Sequence, residues 1–132
     1  MIFRLLSAGV CSVMLMAVSL FHKGLSSAHE DDNSGLETRC GWFSNPTPGN
    51  ASLYDKDGEW IIGVQGGHQA EGDWPVFKDR EFVHTNGASY GYGCACLRVR
   101  VNHETKEVLE IKSAHARPLA ACRRDPALKE PK

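Results

Sequence analysis

The most regular segment of the chain alternates apolar and basic residues, in the order Leu97, Arg98, Val99, Arg100, Val101. A period of two is typical of a strand with one buried face. The polar residues 102–106 predict a turn, and Leu109 and Ile111 resume the alternation after it. We therefore expect a β hairpin over residues 94–111, with Lys106 at a turn position where glycine is more common.

A second hairpin is predicted over residues 51–64. The tetrapeptide Asp55-Lys56-Asp57-Gly58 separates two short segments that contain apolar residues. An Asp side chain accepts local backbone N–H groups and opens a type I turn, and the glycine supplies the left-handed residue that follows. Residues 76–77 and 81–83 predict one or two further short strands, and residues 118–128 predict one or two turns of helix.

These patterns predict a mainly β fold, a small antiparallel sheet or barrel-like domain with little helix. Residues 39–128 contain all of the predicted elements and are expected to form a single domain. Residues 29–38 are polar and predict a flexible leader, and residues 129–132 predict a frayed tail. Because a domain of this size buries only a small core, two disulfides would contribute strongly to its stability.

The first 28 residues have the organisation of a secretory signal peptide. Arg4 supplies a basic start, an apolar run extends from Leu5 to Phe21, and Ser26 and Ala28 provide the small residues of a cleavage site. We expect cleavage after Ala28 and no stable membrane insertion afterwards. The alternative is an uncleaved anchor, because the apolar run of 17 residues is close to the shortest that spans a bilayer.

Four cysteines follow that cleavage site, and they are Cys40, Cys94, Cys96 and Cys122. An even number in a short exported chain predicts two disulfides, and disulfides place the protein in the periplasm or outside the cell. Cys94 and Cys96 point to the same face of their predicted strand, so each is expected to pair with Cys40 or Cys122. The sequence leaves both of the resulting connectivities open.

A metal site is the alternative use of these cysteines. Cys94 and Cys96, together with His68, His84, His103 or His115, would supply ligands for copper(I) or zinc. The spacing matches no zinc finger, however, and thiolates oxidise outside the cytoplasm. We therefore expect no metal and no other cofactor.

The candidate binding residues are four aromatic side chains and one histidine: Trp42, Trp74, His68, Tyr90 and Tyr92. Exposed aromatic residues would form a platform for a sugar or a protein, whereas buried ones would pack in the core or cover a disulfide. His68 lies close in sequence to Glu71 and Asp73, but no nucleophile motif accompanies this group. We therefore expect no catalytic residue and a protein that is not an enzyme.

The charge of the chain is modest. Its formal net charge is −1, and removal of Arg4 and Lys23 with the signal peptide leaves −3. A weakly acidic exported protein is not expected to bind nucleic acid, since that binding depends on clustered positive charge.

Five short segments form a distinctive set of motifs: Arg39-Cys40-Gly41-Trp42-Phe43, Asn45-Pro46-Thr47-Pro48-Gly49-Asn50, Asp57-Gly58-Glu59-Trp60, Tyr90-Gly91-Tyr92-Gly93-Cys94-Ala95-Cys96, and Pro118-Leu119 followed by Cys122-Arg123. The set resembles a bacterial exported family called domain of unknown function 4087, over about residues 39–128. The resemblance implies a periplasmic or secreted location and a cysteine-stapled domain. It implies no activity, ligand or catalytic residue.

The leading functional expectation is a non-enzymatic binding protein of the bacterial envelope, with an inhibitor or immunity-type role toward another protein. One alternative is a binder of glycan or cell wall through Trp42, Trp74 and Tyr92. A second alternative is a metal-handling protein through Cys94 and Cys96. The expected partner is accordingly an envelope protein or a cell-wall glycan.

Overall fold

A computed structural model describes residues 34–132 of the chain. The expected signal peptide, its cleavage site after Ala28 and the first half of the expected leader lie outside the described residues. Within the described part, no helix is long and apolar enough to cross a membrane.

Six strands and one short helix make up the described part of the chain. They are β1 (Glu37–Thr47), β2 (Asn50–Asp55), β3 (Gly58–Gly63), β4 (Phe82–Asn86), β5 (Tyr90–Asn102), β6 (Glu107–Arg117) and α1 (Leu119–Arg123). The mainly β fold is thus confirmed, and so are both predicted hairpins, β2–β3 and β5–β6. Lys106 has a φ of 58° in the β5–β6 turn, where glycine is more common.

The sheet closes on itself because β1 has two partner strands. It pairs with β2 on one side and with β5 on the other, both antiparallel. The ring continues from β2 to β3, and a parallel pairing of β3 with β6 at Ile61 and Glu107 joins it to the β5–β6 hairpin. The resulting order, β1-β2-β3-β6-β5 and back to β1, is that of a five-stranded Greek-key barrel of the OB type. β4 lies outside the ring and pairs with the first residues of β5.

The interior of the barrel follows the alternation of the strands. The apolar residues that point inward are buried together in one cluster, formed by Phe43, Ala51, Leu53, Trp60, Ile62, Ala95, Leu97, Val99, Val108 and Ile111. Gly41 also lies on an inward position, and a Cβ there would come within 2.1 Å of the Tyr54 carbonyl oxygen. The barrel wall is therefore too tightly packed at this point for any residue larger than glycine.

A buried ion pair lies inside the barrel at the end that carries the β2–β3 turn. Arg39 Nη1 donates to Asp55 Oδ2 over 2.6 Å, and Trp60 Nε1 donates to Asp55 Oδ1 over 3.0 Å. The guanidinium carbon of Arg39 lies 3.7 Å from the centre of the Trp60 ring. Burial lowers the pKa of Arg39, but hydrogen bonds to Asp55, Asp57 and Glu37 outweigh burial and raise it. The guanidinium therefore remains charged within the barrel.

A second, smaller cluster lies on the outer face of β1 and β5. It contains Trp42, Tyr92, Cys94 and Cys122, with Leu119 and Leu128 packed against it. Cys122 belongs to α1, so the helix covers this part of the barrel wall. The chain thus buries apolar side chains on both faces of β5, and periodicity alone predicted only the inner one.

The two disulfides are Cys40–Cys96 and Cys94–Cys122. This is one of the two connectivities that the cysteine positions leave open. Cys40 and Cys96 face each other across β1 and β5, with Cα atoms 4.0 Å apart. Cys94 instead reaches over the outer face of the barrel to α1.

The two ends of the domain differ from the sequence expectation. β1 begins at Glu37, so the last two residues of the expected leader pair with β5. The expected frayed tail is held in place, because Glu130 accepts hydrogen bonds from Tyr92 and Arg123. Residues 76–77 do not form a strand, and β4 is the one strand between the two hairpins within the described chain.

Candidate functional site

Two of the candidate binding residues are buried and have no surface for a ligand. The side chain of Trp42 is inaccessible to solvent, and 8% of Tyr92 is exposed. Their rings meet edge to face, with centres 5.4 Å apart, and they pack beside the Cys94–Cys122 disulfide. This is the disulfide-covering arrangement that the sequence left open as the alternative to a platform.

His68 serves to hold a loop on the barrel. Its Nε2 lies 2.8 Å from the carbonyl oxygen of Val108, and the backbone of Glu71 makes two further hydrogen bonds to β6. Within residues 34–132, no hydrogen bond or ion pair joins the His68 side chain to Glu71 or Asp73. The conceivable acid–base cluster of His68, Glu71 and Asp73 that the sequence suggested is therefore not formed.

Trp74 and Tyr90 remain half-buried and accessible, but they do not join the buried pair. Trp74 packs on the barrel core, with its ring centre 5.7 Å from that of Phe43. Tyr90 begins β5 and pairs with Asn86 of β4. The structure thus distributes the candidate aromatic residues among separate places, and no common platform forms.

The most exposed large apolar side chain of the described residues lies close to Trp74. Val76 is 86% exposed. Together with Trp74 and Asp73 it borders an open groove of about 680 Å³, whose opposite wall is the segment Ile111–Ala116 of β6. We call this the edge groove.

The edge groove exists because β6 is longer than β3, the strand that pairs with it on this side. β3 has 6 residues and β6 has 11. β3 pairs with β6 at Glu107, and Glu71 continues this edge with bonds to Leu109 and Ile111. Beyond Ile111, the strand pairings of the described chain give β6 one neighbour, β5. The end of β6 is therefore a sheet edge.

The edge groove was not predicted from the sequence. Val76 was assigned to a short strand, and periodicity does not show which strand edge lacks a partner. The difference in length between the two predicted hairpins was the available signal, since a long hairpin beside a short one leaves part of a strand unpaired.

A second accessible surface lies on the outer face of β1, β2 and β3. Tyr54 is 37% exposed and donates a hydrogen bond to Glu59, as does Ser52. Burial and the Glu59 carboxylate raise the pKa of Tyr54, and its protonated hydroxyl is the donor to Glu59. Val64, which is 44% exposed, lies at one end of this surface, and the residues 127–132 border the other end. We call it the Tyr54 face.

The tail that borders the Tyr54 face is held by charge. Arg123 Nη2 donates to Glu130 Oε1 over 2.8 Å, and the Tyr92 hydroxyl donates to the same oxygen over 3.0 Å. The hydrogen bond from Arg123 lowers the pKa of Glu130, removal from water opposes this effect, and the bond from Tyr92 supports it. A lowered pKa in the docked state means that docking favours the ionised carboxylate.

We expect the tail to detach in acid. The contribution of Glu130 is fully present above the ordinary glutamate pKa of about 4.3 and is lost as the pH falls through the lower value of the docked state. Amide chemical shifts of residues 128–130 and of Lys132, followed from pH 7 to pH 3, should report this release. Glu130→Gln should release the tail already at pH 7, whereas Glu104→Gln, in an exposed turn, should not. Tail shifts that are independent of pH and of Glu130 would contradict this assignment.

The cysteines are engaged in disulfides, so neither Cys94 nor Cys96 presents a thiolate in this form of the protein. Within residues 34–132, no three side chains of the His, Cys, Asp and Glu types are grouped as a metal site. The metal-handling alternative depends on free thiolates of Cys94 and Cys96, and the described residues give it no support.

Comparison with known proteins gives one match, to a family model. No curated protein and no solved structure shows a significant match to the chain. The family model described as "Protein of unknown function (DUF4087)" matches residues 34–129, which include all six strands and the helix. The motifs noted in the sequence lie within this range, and the chain belongs to the DUF4087 family.

Proposed function

We propose that this protein is an exported, non-enzymatic binding protein of the bacterial envelope that holds an extended segment of a partner protein in the edge groove. The observation that carries the proposal is the segment Ser113–Ala116 of β6, which has β5 as its one paired strand in the described chain and is bordered by Trp74 and Val76. An inhibitor or immunity-type role would follow if the captured segment belongs to the active region of another protein.

The backbone of β6 would supply the affinity. A sheet edge presents N–H and C=O groups at alternate residues, and an extended peptide pairs with them as an added strand. Leu109 and Ile111 illustrate this geometry, because Glu71 already bonds to both of them from the same side. A partner segment would continue that line along residues 113–116.

The side chains of the opposite wall would supply the selectivity. Trp74 packs against Phe43, and tryptophan is enriched among the residues that contribute most of the binding energy in protein interfaces. Val76 exposes most of its surface to water in the free protein, and an apolar partner residue would remove this surface from water. The preferred occupant is therefore an extended segment with an apolar residue at the position that faces Val76.

Export is supported by the cysteines. Two disulfides in a small domain are typical of proteins outside the cytoplasm, where thiols are not kept reduced. The apparent signal peptide of the sequence points to the same compartment.

The test compares two exposed valines. Immobilised wild type and the variants Val76→Asp and Val64→Asp are exposed to envelope extract, and retained proteins are identified. Both substitutions replace an exposed valine with a negatively charged aspartate, but only Val76 lies in the edge groove. We expect one retained protein that is lost by at least about tenfold with Val76→Asp, which is the effect of about 1.4 kcal/mol, and is kept with Val64→Asp. Equal retention by all three proteins, or no retained protein, would contradict the proposal.

A glycan binder is the second candidate, and the Tyr54 face is the observation that favours it. This surface combines an accessible aromatic ring with the hydroxyl of Ser52 and the carboxylate of Glu59. By analogy of architecture, barrels of the OB type bind oligosaccharides on the corresponding strands. Co-sedimentation with peptidoglycan that is abolished by Tyr54→Ala and unaffected by Val76→Asp would favour this candidate over the first.

A further inference from the structure

The two disulfides differ in their access to solvent. Cys94 and Cys122 are 3% and 2% exposed and lie within the outer cluster under α1. Cys40 is exposed, Cys96 is partly exposed, and Cys40 also borders an open groove of about 420 Å³. A small reagent can therefore reach the Cys40–Cys96 bond without any opening of the fold, whereas the other bond is shielded.

A cationic side chain lies against one sulfur of the exposed bond. Arg117 Nη1 donates to Cys96 Sγ over 3.5 Å. A guanidinium at this position stabilises a thiolate on Cys96 more than one on Cys40, and a stabilised thiolate is the better leaving group. The two sulfurs therefore differ. Cys40 is the more accessible one, and Cys96 is the one whose thiolate Arg117 would stabilise.

We infer that Cys40–Cys96 is a thiol–disulfide exchange site for low-molecular-weight thiols. A thiolate attacks Cys40 Sγ, the Cys40–Cys96 bond breaks, and its electron pair leaves on Cys96 Sγ beside Arg117. Cys40 then carries a mixed disulfide. A second thiolate attacks the reagent sulfur of that mixed disulfide and releases Cys40 as a thiolate together with the oxidised reagent, so two electrons enter the protein.

The fold can tolerate this exchange. β1 and β5 are paired as antiparallel strands from Glu37 opposite Val99 to Asn45 opposite Gly91, and this pairing holds the two strands together in addition to the disulfide. The Cys94–Cys122 bond, by contrast, provides the covalent attachment of α1 to the sheet. The first bond can therefore open and close while the strands stay paired, whereas opening of the second would detach α1 from the sheet.

Reduced glutathione is the probe for the test. The oxidised protein is incubated with it under native conditions, quenched in acid, alkylated at free thiols and mapped by peptide mass spectrometry. We expect glutathione on Cys40, alkylation on Cys96, and an intact Cys94–Cys122 bond. Glutathione found mainly on Cys96, or both disulfides opening with one rate constant, would overturn the inference.

Substitution of Arg117 tests the leaving group. Arg117→Gln should slow the first exchange at least about threefold, roughly the effect of raising the leaving thiol's pKa by one unit, and Arg117→Lys should retain most of the rate. Arg80→Gln removes the same charge from an exposed position on the short helical turn 79–81 and should leave the rate unchanged. Identical rates in wild type, Arg117→Gln and Arg117→Lys, all with unchanged circular dichroism, would also overturn the inference.

Discussion

Replacing Asp55 with alanine should destabilise the folded protein by about 3–5 kcal/mol, because it removes one partner of a buried ion pair. The side chain of Asp55 is 3% exposed and that of Arg39 is 10% exposed. Without the carboxylate, the Arg39 charge faces the barrel interior with weaker compensation, and the Trp60 indole N–H loses its acceptor. The Asp57 backbone N–H, which also donates to Asp55, loses its acceptor as well.

Asp57→Ala is the matched control for this substitution. Asp57 also pairs with Arg39, over 3.1 Å, but its side chain is 49% exposed. An exposed pair of this kind contributes about 1 kcal/mol or less. Urea titration of the two variants should therefore show a large shift of the midpoint for Asp55→Ala and a small one for Asp57→Ala. Similar small shifts for both would contradict the assignment of a buried, structural ion pair.

Removal of the Cys94–Cys122 disulfide should lower the free energy of unfolding by about 2–5 kcal/mol. The double variant Cys94→Ala with Cys122→Ala avoids a free thiol, and it removes the bond that ties α1 to the outer face of β5. The cross-link acts mainly by restricting the unfolded chain, but its loss also loosens the cover over Trp42. Amide exchange in α1 should accordingly become faster, in addition to the loss of global stability.

The matched double variant replaces Cys40 and Cys96 with alanine. Its loss of stability should be of similar size, since the loop that this bond closes in the unfolded chain is also long. Exchange in α1 should remain slow, however, because the helix keeps its own bond. Equal acceleration of exchange in α1 in both variants, or unchanged denaturant midpoints, would show that the two bonds do not have separate structural roles.

Local patterns predicted the hairpins but left open whether the strands form a sheet or close into a barrel. Alternation around Leu97 and the turn at Asp55–Gly58 depend on neighbouring residues, and both were correctly assigned. The pairing of β1 with β5 joins residues far apart in the chain, and alternation shows which face is buried without showing which strand lies alongside. The disulfide connectivity stayed open for the same reason, because Cys94 and Cys96 share one face.

The buried polar residues were also beyond prediction from pattern. The sequence predicts Asp55 as the residue that opens the turn, and its side chain does accept the Asp57 backbone N–H there. Its second role, as the partner of Arg39 inside the barrel, depends on the ring of strands that brings the two together. The burial of Trp42 and Tyr92 also depends on tertiary structure. These residues lie on the outer face of their strands, and this face is buried only because α1 packs on it.

The edge groove shares this dependence on tertiary structure. Trp74 was noted in the sequence as a candidate, whereas the edge of β6 was not, because the residues of a strand do not show how many strands of the described chain pair with it. Val76 becomes informative only when its exposure in the folded protein is known.

The most direct measurement is amide hydrogen exchange at residues 113–116, in the free protein and in the complex with the partner that Val76→Asp fails to retain. If that partner adds a strand to β6, alternate amides of this segment should exchange at least about tenfold more slowly in the complex, because each gains a backbone acceptor. Protection confined to the Tyr54 face, or no change in residues 113–116, would contradict the proposal that this edge is the binding site.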